Sequence, residues 1–94
     1  MRYSEEILQT VIEYFNLSPK QVKGKSRKKE LVKARWIAMY LIREETNMKL
    51  EAIGELFNRD HTTVIHALQS VNDVLNFRYD TDLKDDLLKI QSII

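Results

Sequence analysis

Four consecutive polar residues, Asp60, His61, Thr62 and Thr63, stand where one helical hydrophobic pattern ends and the next begins. Their carboxylate, imidazole and hydroxyl groups can all hydrogen-bond a base edge or a phosphate. Asp60 is also a good N-cap residue, because its carboxylate can accept from the free N–H groups of a first helical turn. The run is therefore a candidate nucleic-acid-reading helix start. A capped corner of this kind also occurs in helical proteins that bind no nucleic acid.

The apolar residues on either side of this run have the spacing of two helices. They are Ile53, Leu56 and Phe57 before it, and Val64, Ala67, Leu68 and Val71 after it. Only Asn58 and Arg59 separate the first pattern from Asp60. Two helices joined by so short a turn must cross, so the spacing predicts a helix-turn-helix over about residues 50–75.

Positive charge is concentrated in another part of the chain. Residues 20–35 carry eight Lys or Arg against one Glu, whereas the formal net charge of the whole chain is only +1. Such asymmetry is typical of a polyanion-binding face, although a solvated charge run gives the same pattern. Five of the basic residues lie between Lys23 and Lys29, where there is no apolar residue. We predict a basic loop over about 23–29 that only an anionic partner orders.

The remaining patterns predict an all-α fold of about six helices in a single domain, residues 1–94. The longest helix is predicted from about Leu31 to Thr46, and Gly24 ends a short helix before it. The helix opening at Asp60 is predicted to continue to Phe77. Cap residues mark four predicted helix starts: Ser4, Ser18 (with Pro19 and Gln21), Asp60, and either Asp80 or Thr81.

Several classes of function receive no support from the sequence. There is no Cys, and His61 and His66 are about 140° apart around a helix, so no metal site is predicted. No glycine-rich phosphate loop and no catalytic constellation is present. No apolar run approaches the ~18 residues of a membrane span. We expect no enzymatic activity, cofactor, metal, small-molecule substrate or membrane partner, and a cytoplasmic, nucleoid-associated protein.

Taken together, these residues resemble the C-terminal DNA-binding domain of the bacterial chromosomal replication initiator DnaA. That family carries Gly-Arg-Asp-His-Thr-Thr-Val at the start of its recognition helix, and residues 59–64 match it after the leading Gly. Before Arg59 the turn is one residue shorter than is usual in the family: Asn58 stands alone where the family has two residues, often including Gly, and Asn tolerates the left-handed conformation. Residues 37–41, 44–47 and 53–54 continue the likeness. The resemblance implies a Trp-repressor-like helical domain with an embedded helix-turn-helix.

The resemblance also implies sequence-specific binding of double-stranded DNA at a DnaA-box-like site, by a monomer, using both grooves. The implied major-groove residues are Arg59, Asp60, His61, Thr62 and Thr63. The implied minor-groove residues of the basic loop are Lys25, Arg27, Lys28 and Lys29, with Arg27 at the position of the family's inserted arginine. The implied DNA-backbone contacts are Lys33, Arg35 and Lys49. The acidic outer face of the last helix, Asp82, Asp85 and Asp86, is expected to point away from DNA.

Alternatives remain open at this point. Trp36 and Tyr40 form an i,i+4 pair that either packs against a neighbouring helix or docks a protein. If the pair docks a protein, the chain is a helical protein-interaction module. Another alternative is a transcription regulator without DnaA-box specificity. Within the resemblance, it is either an excised initiator domain or a stand-alone relative that regulates origin recognition. The expected Ser4 cap, close to Met1, and the shortened turn at Asn58 slightly favour the stand-alone form.

Overall fold

A computed structural model describes residues 3–77 and 81–94 and places six helices in them. The helices are α1 (Ser4–Tyr14), α2 (Pro19–Lys23), α3 (Lys29–Glu45), α4 (Leu50–Leu56), α5 (His61–Phe77) and α6 (Thr81–Ile93). The predicted all-α fold is confirmed for these residues. Asp80, one of two predicted caps of the last helix, lies outside them. No helix in the two described ranges has the length and apolar character needed to cross a membrane.

Helix α3 is the centre of the fold, because it contacts each of the other five helices. It carries apolar residues at helical spacing, and all of them are buried: Leu31, Ala34, Ile37, Ala38 and Leu41. Met39 and Ile42 are buried as well. A helix with neighbours on several sides needs a wider apolar face than the narrow stripe of a surface helix. The helices around α3 therefore bury most of its surface.

The starts of the first two helices differ in how they are capped. Helix α1 begins at Ser4 itself, so the predicted Ser4 cap is wrong: Tyr3 is the N-cap residue, and no side chain caps the helix. The Tyr3 carbonyl accepts from the Ile7 N–H at 3.1 Å, which starts the helix one residue earlier than expected. The predicted capping box of α2 is confirmed. Ser18 Oγ accepts from the Gln21 N–H at 3.1 Å, and Gln21 Oε1 accepts from the Ser18 N–H at 2.9 Å.

The turn between α4 and α5 closes through a left-handed residue and a close backbone approach. Asn58 has φ 56°, as its tolerance of that region suggested. The N–H groups of Phe57 and Arg59 both donate to the Gly54 carbonyl, at 3.0 and 2.9 Å. A Cβ atom at Gly54 would lie 2.4 Å from the Arg59 carbonyl oxygen. Only glycine fits at Gly54 without moving the turn.

The core confirms most of the predicted apolar positions on the outer helices. The buried residues of α5 are Val64, Ala67, Val71 and Val74, and those of α6 are Leu83, Leu87 and Ile90. Leu88 of α6 is 52% exposed, and Phe77 at the end of α5 is 82% exposed. Helix α5 makes its main contacts with α3 and α4. Because it is buried along its length against them, its start is held in a fixed position.

Candidate nucleic-acid interface

The start of α5 presents polar groups to solvent. Asp60, His61, Thr62 and Thr63 are all exposed. Asp60 Oδ1 accepts from the Thr63 N–H at 3.1 Å and from the Thr63 hydroxyl at 3.3 Å, so the predicted N-cap is confirmed. The side chains of His61 and Thr62 make no hydrogen bond with the described residues. Their polar groups are therefore available to a partner.

The basic loop is shorter than predicted, since Lys23 ends α2 and Lys29 begins α3. The four side chains implicated in the minor groove are exposed: Lys25, Arg27, Lys28 and Lys29. None of them forms an ion pair within the part of the chain that the structure describes. Four unneutralised cations on a short connection attract an anionic polymer.

Arg35 fixes this loop from inside the fold. Only 5% of the residue is exposed. Its guanidinium donates to four carbonyls: Val22 (from Nε, 2.7 Å), Ser26 (from Nη1, 2.5 Å), and Gln21 and Gly24 (from Nη2, 3.1 and 3.0 Å). Burial, and then the nearby charge of Arg59, lowers the pKa of Arg35 below its ordinary value.

Two predictions involve Arg35. Its guanidinium is buried and its donors are occupied by carbonyls, and its contact with the DNA backbone stays a prediction. Arg35 holds four carbonyls at and beside the loop, which gives the loop internal support; its ordering by an anionic partner stays a prediction. The sequence contained a signal for the burial of Arg35. Arg35 lies four residues after Leu31 and three before Ala38, on the buried stripe of α3.

Arg59 links the helix-turn-helix to the same loop. Its Nη2 donates to the Gly24 carbonyl at 2.6 Å, and its Nη1 donates to the Phe57 carbonyl at 2.7 Å. The side chain is half-buried, and this burial lowers the pKa of Arg59. The structure thus engages Arg59 with main-chain groups, and its major-groove contact stays a prediction. The guanidinium groups of Arg35 and Arg59 meet at one carbonyl, that of Gly24.

Lys33 is likewise engaged within the fold, and its contact with the DNA backbone stays a prediction. Its Nζ lies 2.7 Å from Asp86 Oδ2 and 5.4 Å from the centre of the Phe15 ring. The Tyr14 hydroxyl donates to Asp86 Oδ1 at 2.9 Å. Burial acts to raise the pKa of Asp86, but the hydrogen bonds from Lys33 and Tyr14 lower it overall. These contacts join α6 to α1 and α3.

The acidic residues of α6 are therefore not all directed away from the basic surface. Asp86 points inward to Lys33, and Asp82 lines a groove that Arg27 and Lys29 also line. Asp82 and Asp85 are both exposed. Lys49, the third predicted backbone contact, is exposed at the N-cap of α4, so its assignment stays a prediction.

The basic loop and the start of α5 border one groove of about 580 Å³. Arg27 contributes to it from the loop, and Thr63 contributes from α5. Trp36, which is half-buried on α3, lines the same groove. Trp36 therefore adjoins the candidate DNA-reading elements, and both Trp36 and Tyr40 are partly buried against the core. Among the described residues, no group of three or more His, Asp or Glu is placed to hold a metal ion.

Two consecutive helices joined by a short capped turn, with an exposed polar start to the second, define a helix-turn-helix protein. The chain belongs to the family described as bacterial dnaA protein helix-turn-helix, whose model matches residues 4–71. It is 49% identical over 70 residues to the chromosomal replication initiator protein DnaA of Thermus thermophilus, covering 73% of this chain and 16% of that protein. It is 41% identical over 90 residues to the DnaA of Lacticaseibacillus casei, covering 95% of this chain and 20% of that protein. The chain thus spans a fifth or less of these two relatives.

Proposed function

We propose that this chain binds double-stranded DNA sequence-specifically at a DnaA-box-like site, as part of replication-origin recognition or its regulation. One observation carries the proposal: Thr63, in the exposed polar start of α5, and the exposed Arg27 line the same groove. A helix start and a cationic loop on one surface suit a duplex, because neighbouring elements can enter adjacent grooves. The family and its replication-initiator relatives support the same function.

In this proposal α5 enters the major groove. His61 and Thr62 contact base edges, and the Thr62 methyl packs against a thymine methyl. Asp60 uses Oδ1 in its cap, so its second oxygen can accept from a cytosine amino group. The Thr63 hydroxyl already donates to Asp60, so this donor is occupied by the cap. The polar helix start thereby reads bases without loss of its own cap.

Arg27 enters the adjacent minor groove, where a planar guanidinium suits a narrow A·T-rich segment. Lys25, Lys28 and Lys29 supply flanking charge to phosphates, and Lys49 does so from the start of α4. The protein binds as a monomer, because one chain supplies both contacts. A protein-interaction module is not favoured, since Trp36 lies in the groove that Arg27 and Thr63 border.

The test is a titration with a DnaA-box duplex and with a scrambled duplex of the same composition, over a series of salt concentrations. We expect the box duplex to bind more tightly by on the order of a thousandfold, since specific sites exceed non-specific ones by that factor or more. Both affinities should fall with salt as counterions are released. Equal affinity for the two duplexes at every salt concentration would refute the proposal.

A further inference from the structure

Arg59 holds a position that neither a base contact nor a phosphate contact explains. Its main-chain N–H donates to the Gly54 carbonyl at 2.9 Å, and its own carbonyl lies against Gly54. Its guanidinium spans 35 residues of sequence to reach the Gly24 carbonyl at 2.6 Å. One residue therefore contacts the end of α4, the turn before α5 and the basic loop.

The loop contact is strong for physical reasons. A hydrogen bond from a charged donor is roughly twice as strong as a neutral one, and partial burial keeps water from competing. No carboxylate of the described residues pairs with Arg59, so its charge is directed to the Phe57 and Gly24 carbonyls. Gly24 also accepts from Arg35, which is buried on α3. Gly24 is thereby fixed to the core and to the helix-turn-helix at once.

We infer that Arg59 is a positioning residue that sets the distance between the two DNA-reading elements. Arg27 lies three residues after Gly24, and His61 lies two residues after Arg59. The Arg59–Gly24 hydrogen bond links the chain near Arg27 directly to the chain near His61. The minor-groove and major-groove residues are therefore held at a fixed distance before DNA binds. A pre-set distance removes the ordering cost that a free loop would pay on binding. This inference rests on the proposed function.

The test compares Arg59→Ala and Arg59→Lys with the parent on three duplexes. One has the DnaA box with an A·T flank, the second has the same box with a G·C flank, and the third has a scrambled box with the A·T flank. In both variants we expect the preference for the A·T flank to fall by on the order of tenfold, a typical coupling between two sites. The preference for the box over the scrambled sequence should stay within about twofold of the parent, as for independent contacts.

Lysine is the informative substitution because it preserves the charge. Its ammonium is a compact point charge without the guanidinium fork, so it cannot reach the Phe57 and Gly24 carbonyls together. A residue that only neutralised a phosphate would be replaced well by Lys. Lys20→Ala, which removes an exposed charge of α2, is the matched control: it should weaken all three duplexes alike.

Three outcomes would overturn the inference. The first is a uniform weakening in Arg59→Ala that Arg59→Lys restores, which would make Arg59 a phosphate ligand. The second is an altered preference at one base pair of the box with the flank preference intact, which would make it a base reader. The third is a parent that binds box and scrambled duplexes equally, which refutes the proposed function itself and is visible before any variant is made.

A second measurement needs no DNA. Trypsin cleaves after Lys and Arg, and the loop presents Lys25, Arg27 and Lys28 to it. In the free protein, loss of the Arg59 bond should speed cleavage in the loop several-fold, because local opening controls proteolysis. Cleavage after Lys84 and Lys89 on α6 is the internal control. Loop cleavage at the parental rate in Arg59→Ala and Arg59→Lys would also overturn the inference.

Discussion

The start of α5 and the basic loop carry the two halves of the proposed DNA contact, and different hydrogen bonds hold them. The α5 start is held locally: Asp60 accepts from Thr63, three residues away. The loop is held by distant residues, with Arg35 and Arg59 donating to carbonyls 9 to 35 residues away. A local cap forms with its helix, whereas the loop acquires its shape only when α2, α3 and the turn have packed. The α5 start should therefore tolerate changes elsewhere in the fold better than the loop does.

The largest expected effect on stability is that of Gly54→Ala. This substitution disturbs the turn between α4 and α5, on which the start of α5 and the Arg59 contact with the loop both depend. Its Cβ would lie 2.4 Å from the Arg59 carbonyl oxygen and 3.2 Å from the Asp60 backbone. The clash is with main chain, which cannot rotate away, so we expect a loss of about 3 kcal/mol in the free energy of unfolding. Urea denaturation monitored by circular dichroism measures it. Gly24→Ala is the comparison, where a Cβ would lie 3.0 Å from one carbonyl oxygen; an equal loss at both glycines would contradict this explanation.

Arg35→Lys should disturb the loop while sparing the α5 start. Lysine keeps the charge but cannot donate to carbonyls of Gln21, Val22, Gly24 and Ser26 together, and unsatisfied buried carbonyls are costly. We expect a loss of about 2 kcal/mol in stability. Amide hydrogen exchange should quicken at Gly24 to Lys28 more than at Thr63, whose N–H is held by Asp60. Equal quickening at both places would mean that the two regions are not held separately.

Thr62→Ala tests the start of α5, and its expected effect is on DNA affinity rather than on the free energy of unfolding. The Thr62 side chain is exposed and has no hydrogen bond within the described residues, so the free energy of unfolding should change little. Affinity for the box duplex should fall by about 2 kcal/mol, the effect of losing a base contact. Calorimetric titration with box and scrambled duplexes measures both affinities. A parental ratio of the two would remove Thr62 from the base-reading set.

Asp86→Asn has the smallest expected effect and depends on pH. Because Lys33 and Tyr14 hold the pKa of Asp86 below its ordinary value, the carboxylate adds stability above that value. This contribution disappears as the pH falls through the lowered native pKa. We expect the variant to be less stable by about 1 kcal/mol at neutral pH, as for a half-exposed ion pair. Thermal melts of both proteins between neutral pH and pH ~3 should converge on acidification; a constant gap would assign the effect to packing.

Most residues of the proposed contact surface could be predicted from the sequence, but the long-range hydrogen bonds that hold this surface in place could not. The Asp60 cap, the Ser18 capping box and the crossing of α4 and α5 follow from residues a few positions apart, which interact whenever the helix forms. Exposure of His61, Thr62 and Arg27 follows from the absence of apolar neighbours at helical spacing. The partners of Arg35, Arg59 and Lys33 within the fold were not predicted, because charge alone does not show whether a basic side chain faces solvent.

The sequence by itself therefore determined the helices, the capped corner and the polar residues that a duplex would meet, since each depends on local spacing and hydrophobic period. Only the tertiary structure decided which basic residues remain free. Arg35 and Arg59 meet at the Gly24 carbonyl because α2 and α3 pack together, and α5 brings the turn beside them. Lys33 pairs with Asp86 because α6 folds back over α1 and α3. The physical reason is that a long cationic side chain takes the nearest acceptor, and packing alone determines which acceptor is nearest.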